Sequence, residues 1–289
     1  MESSIRRFIV SRSAVIVGYG RSAVARAFKG SLAKVHPIEY SAQVLRGVIE
    51  KVPGLDPEEI EDIIMGCAVQ HKTTSMNIAK LVAVRAGLDE TVAAYTLNRF
   101  CSSGLQAIAN ACAAIDANQG DVAVAGGVED MSNTFEPYPV EYQDAWLLEN
   151  KEGAYMTMGM TAENVVKQYG VAREEMDKMA AESHAKADRA NREGKLAPSI
   201  IPVVIKDEAG NTKVFQVDEG IRPGTSLETL AALKPCFIPE EEGGSVTAAT
   251  SSQTSDAAAF VVVMEEEKAK VQGIKPLARL LSYAVAGVD

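Results

Sequence analysis

Between Ser13 and Ala125 the chain alternates short apolar runs with segments of helical period. That rhythm restricts it to helices packed on a parallel or mixed sheet. Ser13 to Val17 reads as a buried strand, and Tyr40 to Val52 places Val44, Leu45, Val48 and Ile49 on one helix face. Asp56 before Pro57, Glu58 and Glu59 is a helix start, with a capping acid, proline at the first helical position and acids in the first turn. Ile63 to Val69 predicts a strand, Asn77 to Ala86 a helix and Val92 to Leu97 a strand. A helix over Ser103 to Asn118 and a strand over Asp121 to Ala125 follow.

The middle of the chain breaks this rhythm. Met131 to Gly159 has little periodicity and carries aromatics, Pro137, Pro139 and several methionines. Arg173 to Arg192 predicts a long charged helix stopped by Gly194. Ile200 to Ile205 and Lys213 to Val217 read as a hairpin around Ala209-Gly210-Asn211, and Ser226 caps a short helix to Leu233. The strand–helix rhythm resumes with Ala257 to Met264, then Glu265 to Gln272 with Gly273 as stop, then Leu277 to Val285. The expected organisation is an α/β domain over 1–130, an insertion over 131–242, and a return to the first domain with the start of another over 243–289.

Composition removes several function classes. A net charge of −10 argues against a broad nucleic-acid face, which needs clustered Lys and Arg. No apolar run approaches the ~18 residues of a membrane span. The amino terminus has no apolar core followed by a small-residue cleavage site; Arg6, Arg7 and Arg12 hint at a transit peptide, and Glu2 counts against one. Four scattered cysteines fit a reducing compartment, so a cytoplasmic protein is expected. No metal-ligand spacing is visible.

Ala94 to Ile115 is the segment with chemistry in it. A strand runs into Asn98-Arg99-Phe100, and Cys101 stands just before a helix marked by Leu105, Ile108, Cys112 and Ile115. Amide N–H groups at a helix start stabilise a thiolate and can receive a developing oxyanion. Ser102, Ser103 and Gly104 are small and leave room for a substrate. On these grounds a nucleophile and a buried structural thiol are evenly matched at Cys101. Cys112 and Cys67 lie in apolar patterns and read as core, and Cys236 reads as wall or core.

Asn98-Arg99-Phe100-Cys101-Ser102-Ser103-Gly104-Leu105-Gln106-Ala107 resembles the acyl-thioester motif of the thiolases. Further matches follow in family order. They are Arg21 to Leu32, Gly126-Gly127-Val128-Glu129-Asp130-Met131-Ser132, Met158-Gly159-Met160-Thr161-Ala162-Glu163-Asn164, Glu219 to Pro223, Leu233 to Phe237 and Ser245 to Ala248. The resemblance implies a layered α/β/α/β/α fold with mixed sheets and an inserted CoA-binding loop domain. It implies an acyltransferase in which Cys101 attacks a 3-ketoacyl-CoA, releases acetyl-CoA and passes the acyl group to a second CoA, or runs the reverse Claisen condensation. By the same resemblance Ser252 lies against pantetheine, Met158 and Phe237 supply apolar contacts to that arm, and Arg222 meets the adenine end of CoA. CoA and acyl-CoA are then substrates, no cofactor is implied, and dimers or tetramers are expected.

The sequence also departs from the family pattern. Ala249-Thr250 replaces a Gly-Asn pair, Asp256-Ala257-Ala258 replaces Asp-Gly-Ala, and Thr157 stands where His is common. The family's Gly-His-Pro histidine and second cysteine have no counterpart. His36, His71 and His184 are poor substitutes, the last reading as part of a solvated helix face. The chain is therefore expected to be incomplete for turnover: a truncated product, a degraded sample, or one part of an enzyme whose separate carboxy-terminal segment supplies the catalytic His and Cys.

Other readings compete. An acetoacetyl-CoA-forming acetyltransferase differs only in substrate, and Cys101 to Gln106 with Ser251 to Asp256 favours the degradative type. A ketoacyl synthase lacks the CoA-domain motifs. A non-catalytic acyl-CoA-binding or scaffold protein would not need Cys101. An NAD-dependent dehydrogenase draws on Val17-Gly18-Tyr19-Gly20-Arg21-Ser22-Ala23 with Glu39 about 20 residues on. Phe28 to Ser31 interrupts the helix such a fingerprint requires.

Overall fold

A computed structural model describes residues 12–206 and 210–287. The readings that involve Glu2, Arg6, Arg7 and Ala209 lie outside the described residues. The chain divides into two units. One holds the residues up to Thr134, Ser199–Glu219 and those from Ser255 onward; the other holds Phe135–Pro198 and Gly220–Thr254.

The first unit is built on one mixed sheet. Its strands are β1 (Ala14–Arg21), the short β2 (Ala25–Arg26), β3 (Asp62–Gly66), β4 (Ala93–Leu97), β5 (Val122–Asp130) and β8 (Ser255–Glu265), in the order β1-β8-β5-β3-β4 with β2 also on β8. β3 is parallel to β4 and β5, while β8 runs antiparallel to β1, β2 and β5. Alternate residues point to opposite faces. Ala14, Ile64, Ala123, Ala125 and Val263 pack with Ala107, Ala111, Cys112 and Ile115 of α3 (Ser103–Asp116). On the other face lies α1 (Pro37–Glu50), which packs against α2 (Ile78–Ala86). Among the described residues, these helix coats and the sheet account for three of the five layers implied by the resemblance.

Several sequence expectations change. β1 runs on through Gly18 and Gly20 to Arg21 with a bulge between Ile16 and Gly18, so no turn opens a helix there. The glycines serve packing, since a Cβ at Gly18 would collide with Val52 of the loop after α1. Glu39 sits in the first turn of α1. The dinucleotide fingerprint is thus a strand, and the dehydrogenase reading loses its basis. Asp56 does cap, but it starts only a single 3-10 turn, Pro57–Glu59. Leu277 to Val285 forms no named strand or helix; Ala278 bridges to Ile16 and Tyr283 donates its hydroxyl to Gln106 at 2.9 Å.

The hairpin of β6 (Val203–Lys206) and β7 (Thr212–Phe215) groups with the first unit rather than with an insertion. Gln43 of α1 explains this: its side chain donates to the Val204 carbonyl and accepts the Val204 amide, at 2.9 and 2.8 Å. Beyond the hairpin, Asp218 binds the Arg21 guanidinium with both oxygens, at 2.7 and 2.9 Å, and accepts the Val24 amide. Burial raises the Asp218 carboxyl, but the Arg21 hydrogen bonds, the Val24 amide and the Arg21 charge outweigh it and the pKa is lowered. A lowered carboxyl stabilises the fold above its unfolded pKa and loses that effect as pH falls through the folded value. Asp218→Asn is expected to cost about 2 kcal/mol at pH 7, with the difference from the parent shrinking below about pH 4. Urea unfolding at several pH values measures this.

The second unit is mainly helical: α5 (Ala145–Asn150), α6 (Met158–Tyr169), α7 (Arg173–Arg192) and α8 (Leu227–Ala231). The remaining short helices, α4 (Met131–Thr134) and α9 (Glu266–Val271), belong to the first unit. α6 has no counterpart in the sequence reading. Its Glu163 is buried and accepts the amides of Ser245 and Val246. Arg173 ties α7 to α8 through the Leu230 and Leu233 carbonyls. No described helix is long and apolar enough to cross a membrane.

Candidate active site

Cys101 is exposed in the turn between β4 and α3, two residues before the helix begins. Side chains on both sides hold this turn. Asn98 accepts the Phe100 amide at 2.7 Å and donates to the Ala68 carbonyl at 2.8 Å. The Ser103 hydroxyl accepts the Arg99 amide at 2.8 Å and donates to the Phe100 carbonyl at 2.6 Å. Ser103 is buried, so it clamps the turn from beneath instead of leaving space for a substrate. Phe100 has φ 45°, in the left-handed region that costs a non-glycine residue of order 1 kcal/mol or more. The surrounding hydrogen bonds hold this conformation, next to which Cys101 is exposed.

The support extends into the sheet. Gly66 ends β3 directly under the start of α3, where an added Cβ would lie 2.5 Å from the Ser103 Cβ and 2.6 Å from the Gly104 nitrogen. Glu129 at the end of β5 accepts the amides of Ala68 and Val69, at 2.8 and 3.1 Å. Burial raises its carboxyl against the lowering effect of those amides. A connected path therefore runs from Glu129 through Ala68 and Asn98 to the backbone beside Cys101. Deeper still, Asp130 and Asp256 are register partners and fully buried. Thr73 and Asn133 donate to Asp130, and the Ser132 amide and hydroxyl donate to Asp256. Burial and then the Asp130 charge, acting against the Ser132 hydrogen bonds, raise the Asp256 carboxyl. Glu129, Asp130 and Asp256 stood in motifs in the sequence, but nothing in their spacing announced these partners.

The other thiols divide clearly. Cys67 is buried, and burial followed by the nearby Glu129 charge pushes its thiol up to about 12. Cys112 is buried too, with burial and then Asp116 pushing its thiol up to about 11. Cys236 is exposed and lines a shallow cavity with Pro235 and Phe237, so of its two readings wall stands and core does not. Leu105 is also exposed, whereas Cys112 and Ile115 of the expected face are buried and Ile108 packs on the same core; Ser103, Ala107 and Ala111 complete the buried face of α3. Alkylation of the native protein is therefore expected to modify Cys101 and Cys236 only, and all four thiols in denaturant. Peptide mass mapping reads the result, and rapid native labelling of Cys67 or Cys112 would contradict it.

The remaining candidates lie in the second unit. Met158 opens α6 and is exposed, and the Phe237 ring packs on the backbone of the adjacent Gly159. Arg222 is exposed, and its amide donates to Nδ1 of His184 at 3.2 Å. His184 is half-buried, so it is not the solvated residue expected from the sequence. Ser252 is exposed, and its neighbour Gln253 donates to the Gly220 carbonyl at 2.8 Å. Met158 and Phe237 thus meet through Gly159, and the segments of Arg222 and Ser252 meet through Gln253. His184 and Gln253 were not candidates in the sequence. His36 is spent on capping α1, where its Nδ1 accepts the Ile38 amide.

Residues 14–267 match the family described as thiolase, N-terminal domain. The chain belongs to the thiolase family. Among thiolase relatives, it is 41% identical over 278 residues to the 3-ketoacyl-CoA thiolase of Stutzerimonas stutzeri (strain A1501), covering 96% of this chain and 70% of the relative. It is 42% identical over 285 residues to the 3-ketoacyl-CoA thiolase of Bacillus subtilis (strain 168), with 96% and 72% covered. Its fold is similar to the crystal structure of the Bacillus anthracis acetyl-CoA acetyltransferase, with a TM-score of 0.85, 38% identity, and 96% and 72% of the two chains covered.

Proposed function

We propose that this thiolase-family chain carries the acyl-transferring half of a 3-ketoacyl-CoA thiolase, with Cys101 as nucleophile. The observation that carries this reading is the exposed Cys101 in a strained, hydrogen-bonded turn at the start of α3. The Cys101 thiolate attacks the 3-keto carbon, and the oxyanion collapses with cleavage of the adjacent C–C bond. The departing acetyl-CoA enolate takes up a proton, and an acyl thioester remains on Cys101. The thiol of a second CoA attacks that thioester and leaves as the shortened acyl-CoA. Every electron pair is accounted for without a resident cofactor, and CoA is consumed as substrate.

Met158, Phe237 and Ser252 are assigned to the pantetheine arm and Arg222 to the phosphates at the adenosine end. A guanidinium there supplies local positive charge to a chain whose net charge is −10. His36 caps a helix and His184 holds a backbone amide. Neither is assigned the base or acid role; those roles are left to a His and a Cys of a carboxy-terminal thiolase segment, as the family resemblance implies. Four unpaired thiols support a cytoplasmic location. The exposed edge strand β4, with Tyr95, Phe100 and Leu105 exposed around it, supports a homodimer. Sedimentation equilibrium reads the oligomeric state directly.

The functional test is thiolysis of 3-ketoacyl-CoA substrates of graded chain length in the presence of CoA, with and without an added carboxy-terminal thiolase segment. Formation of acetyl-CoA that requires Cys101 supports the reading. Acyl-CoA binding with no transfer under either condition would favour the binding-protein alternative.

A further inference from the structure

The backbone of Arg222 is held at both of its polar groups. Its amide donates to His184 Nδ1 at 3.2 Å, and its carbonyl accepts the Thr225 hydroxyl at 2.8 Å. Two residues earlier, the Gly220 carbonyl accepts from the Gln253 side chain at 2.8 Å. These ties place the short segment Gly220 to Thr225 between a helix and the residue next to Ser252. His184 stands in the middle of the 20-residue α7, which gives the tie a rigid base. Accepting an amide at Nδ1 requires a neutral imidazole that carries its proton on Nε2.

We propose that His184 is a positioning residue for coenzyme A: it fixes the Arg222 backbone so that the guanidinium meets the phosphates at the adenosine end, while Gln253 locks that segment to the one bearing Ser252. The proposal rests on the assignment of Arg222 to the CoA phosphates. An exposed arginine on a free loop loses side-chain and backbone freedom when it binds a phosphate. Holding its N–H and C=O in advance removes the backbone part of that loss, so the benefit appears as affinity for the phosphate-bearing ligand. It does not extend to pantetheine, which lacks those phosphates. Gln253 extends the effect by making the two CoA-contacting segments move as one.

Calorimetric titration of the full chain with CoA and with pantetheine tests this. His184→Ala is expected to weaken CoA about five- to tenfold, the worth of one hydrogen bond, and to leave pantetheine unchanged. His184→Asn, whose side-chain oxygen can stand at the Nδ1 position, is expected to restore most of the loss. In an Arg222→Ala background, His184→Ala is expected to cause no further loss, because it acts through Arg222. If His184→Ala does not fold, Thr225→Ala removes the carbonyl tie and is expected to give the same selective loss. An Arg222→Ala variant that binds CoA as well as the parent would overturn the assignment of Arg222, and this proposal with it. If Arg222→Ala weakens CoA while His184→Ala has no effect, or an equal effect in both backgrounds, the positioning role alone is overturned.

Discussion

Replacing Cys101 with serine is expected to remove acyl transfer, lowering the rate of adduct formation about 10⁴-fold or more. The geometry explains why so small a change is so costly. The turn presents one side-chain atom at Cys101, and the residues around it spend their polar groups on holding the backbone: Asn98 on Phe100 and Ala68, Ser103 on Arg99 and Phe100. Serine at 101 would keep the turn but offer a hydroxyl, which is far less ionised than a thiol at neutral pH. Intact mass after incubation with acetyl-CoA or acetoacetyl-CoA is the direct readout. The parent is expected to gain one acyl group and Cys101→Ser none, with equal unfolding midpoints. An adduct that persists in the variant, or that maps to exposed Cys236, would remove Cys101 from its assigned role.

Gly66→Ala is expected to damage both the fold and the acylation of Cys101, although residue 66 has no reactive group. Its added methyl would stand 2.5 Å from the Ser103 Cβ and 2.6 Å from the Gly104 nitrogen, both at the first turn of α3. Neither neighbour can yield without moving the helix start, since Gly104 is backbone and Ser103 is tied to Arg99 and Phe100. Overpacking of this kind costs about 1–3 kcal/mol, and the shift also moves the Cys101 turn. Gly87→Ala is the comparison: Gly87 has φ +84° with nothing within 4 Å of an added Cβ. It should lose about 1 kcal/mol from backbone strain alone and acylate Cys101 at the parent rate. Equal acylation rates for the folded Gly66→Ala and Gly87→Ala proteins would separate Gly66 from the turn.

Much of the site was legible in the sequence because its parts are contiguous. A strand, a cysteine and a helix start within one short stretch define where a nucleophile can stand, and the structure keeps Cys101 exposed there. The strand–helix alternation foretold the mixed sheet for the same reason, since period is a local property. Local pattern also misled. Gly18-Tyr19-Gly20 fits a phosphate-binding fingerprint, but its pairing with β8 and the packing of Val52 and Val262 against Gly18 make it a strand. Leu105 sits at a plausible helical spacing, yet it is exposed, and Ser103, Ala107 and Ala111 join Cys112 and Ile115 on the face of α3 that approaches the sheet.

Most elements of the sheet-bearing unit, the placement of Cys101 and the family were legible in the sequence alone, because each follows from residues close together in the chain or from motifs in a fixed order; α6 and the irregular course of Leu277 to Val285 were not. What surrounds those residues was decided by tertiary structure. Glu129 reaches Ala68 and Val69 from about sixty positions away, and Asp218 reaches Arg21 from nearly two hundred. His184 becomes the acceptor for the Arg222 amide only once α7 has folded beside it. A buried polar group must find a partner, and chain folding selects which one is within reach. Sequence spacing carries no record of that choice.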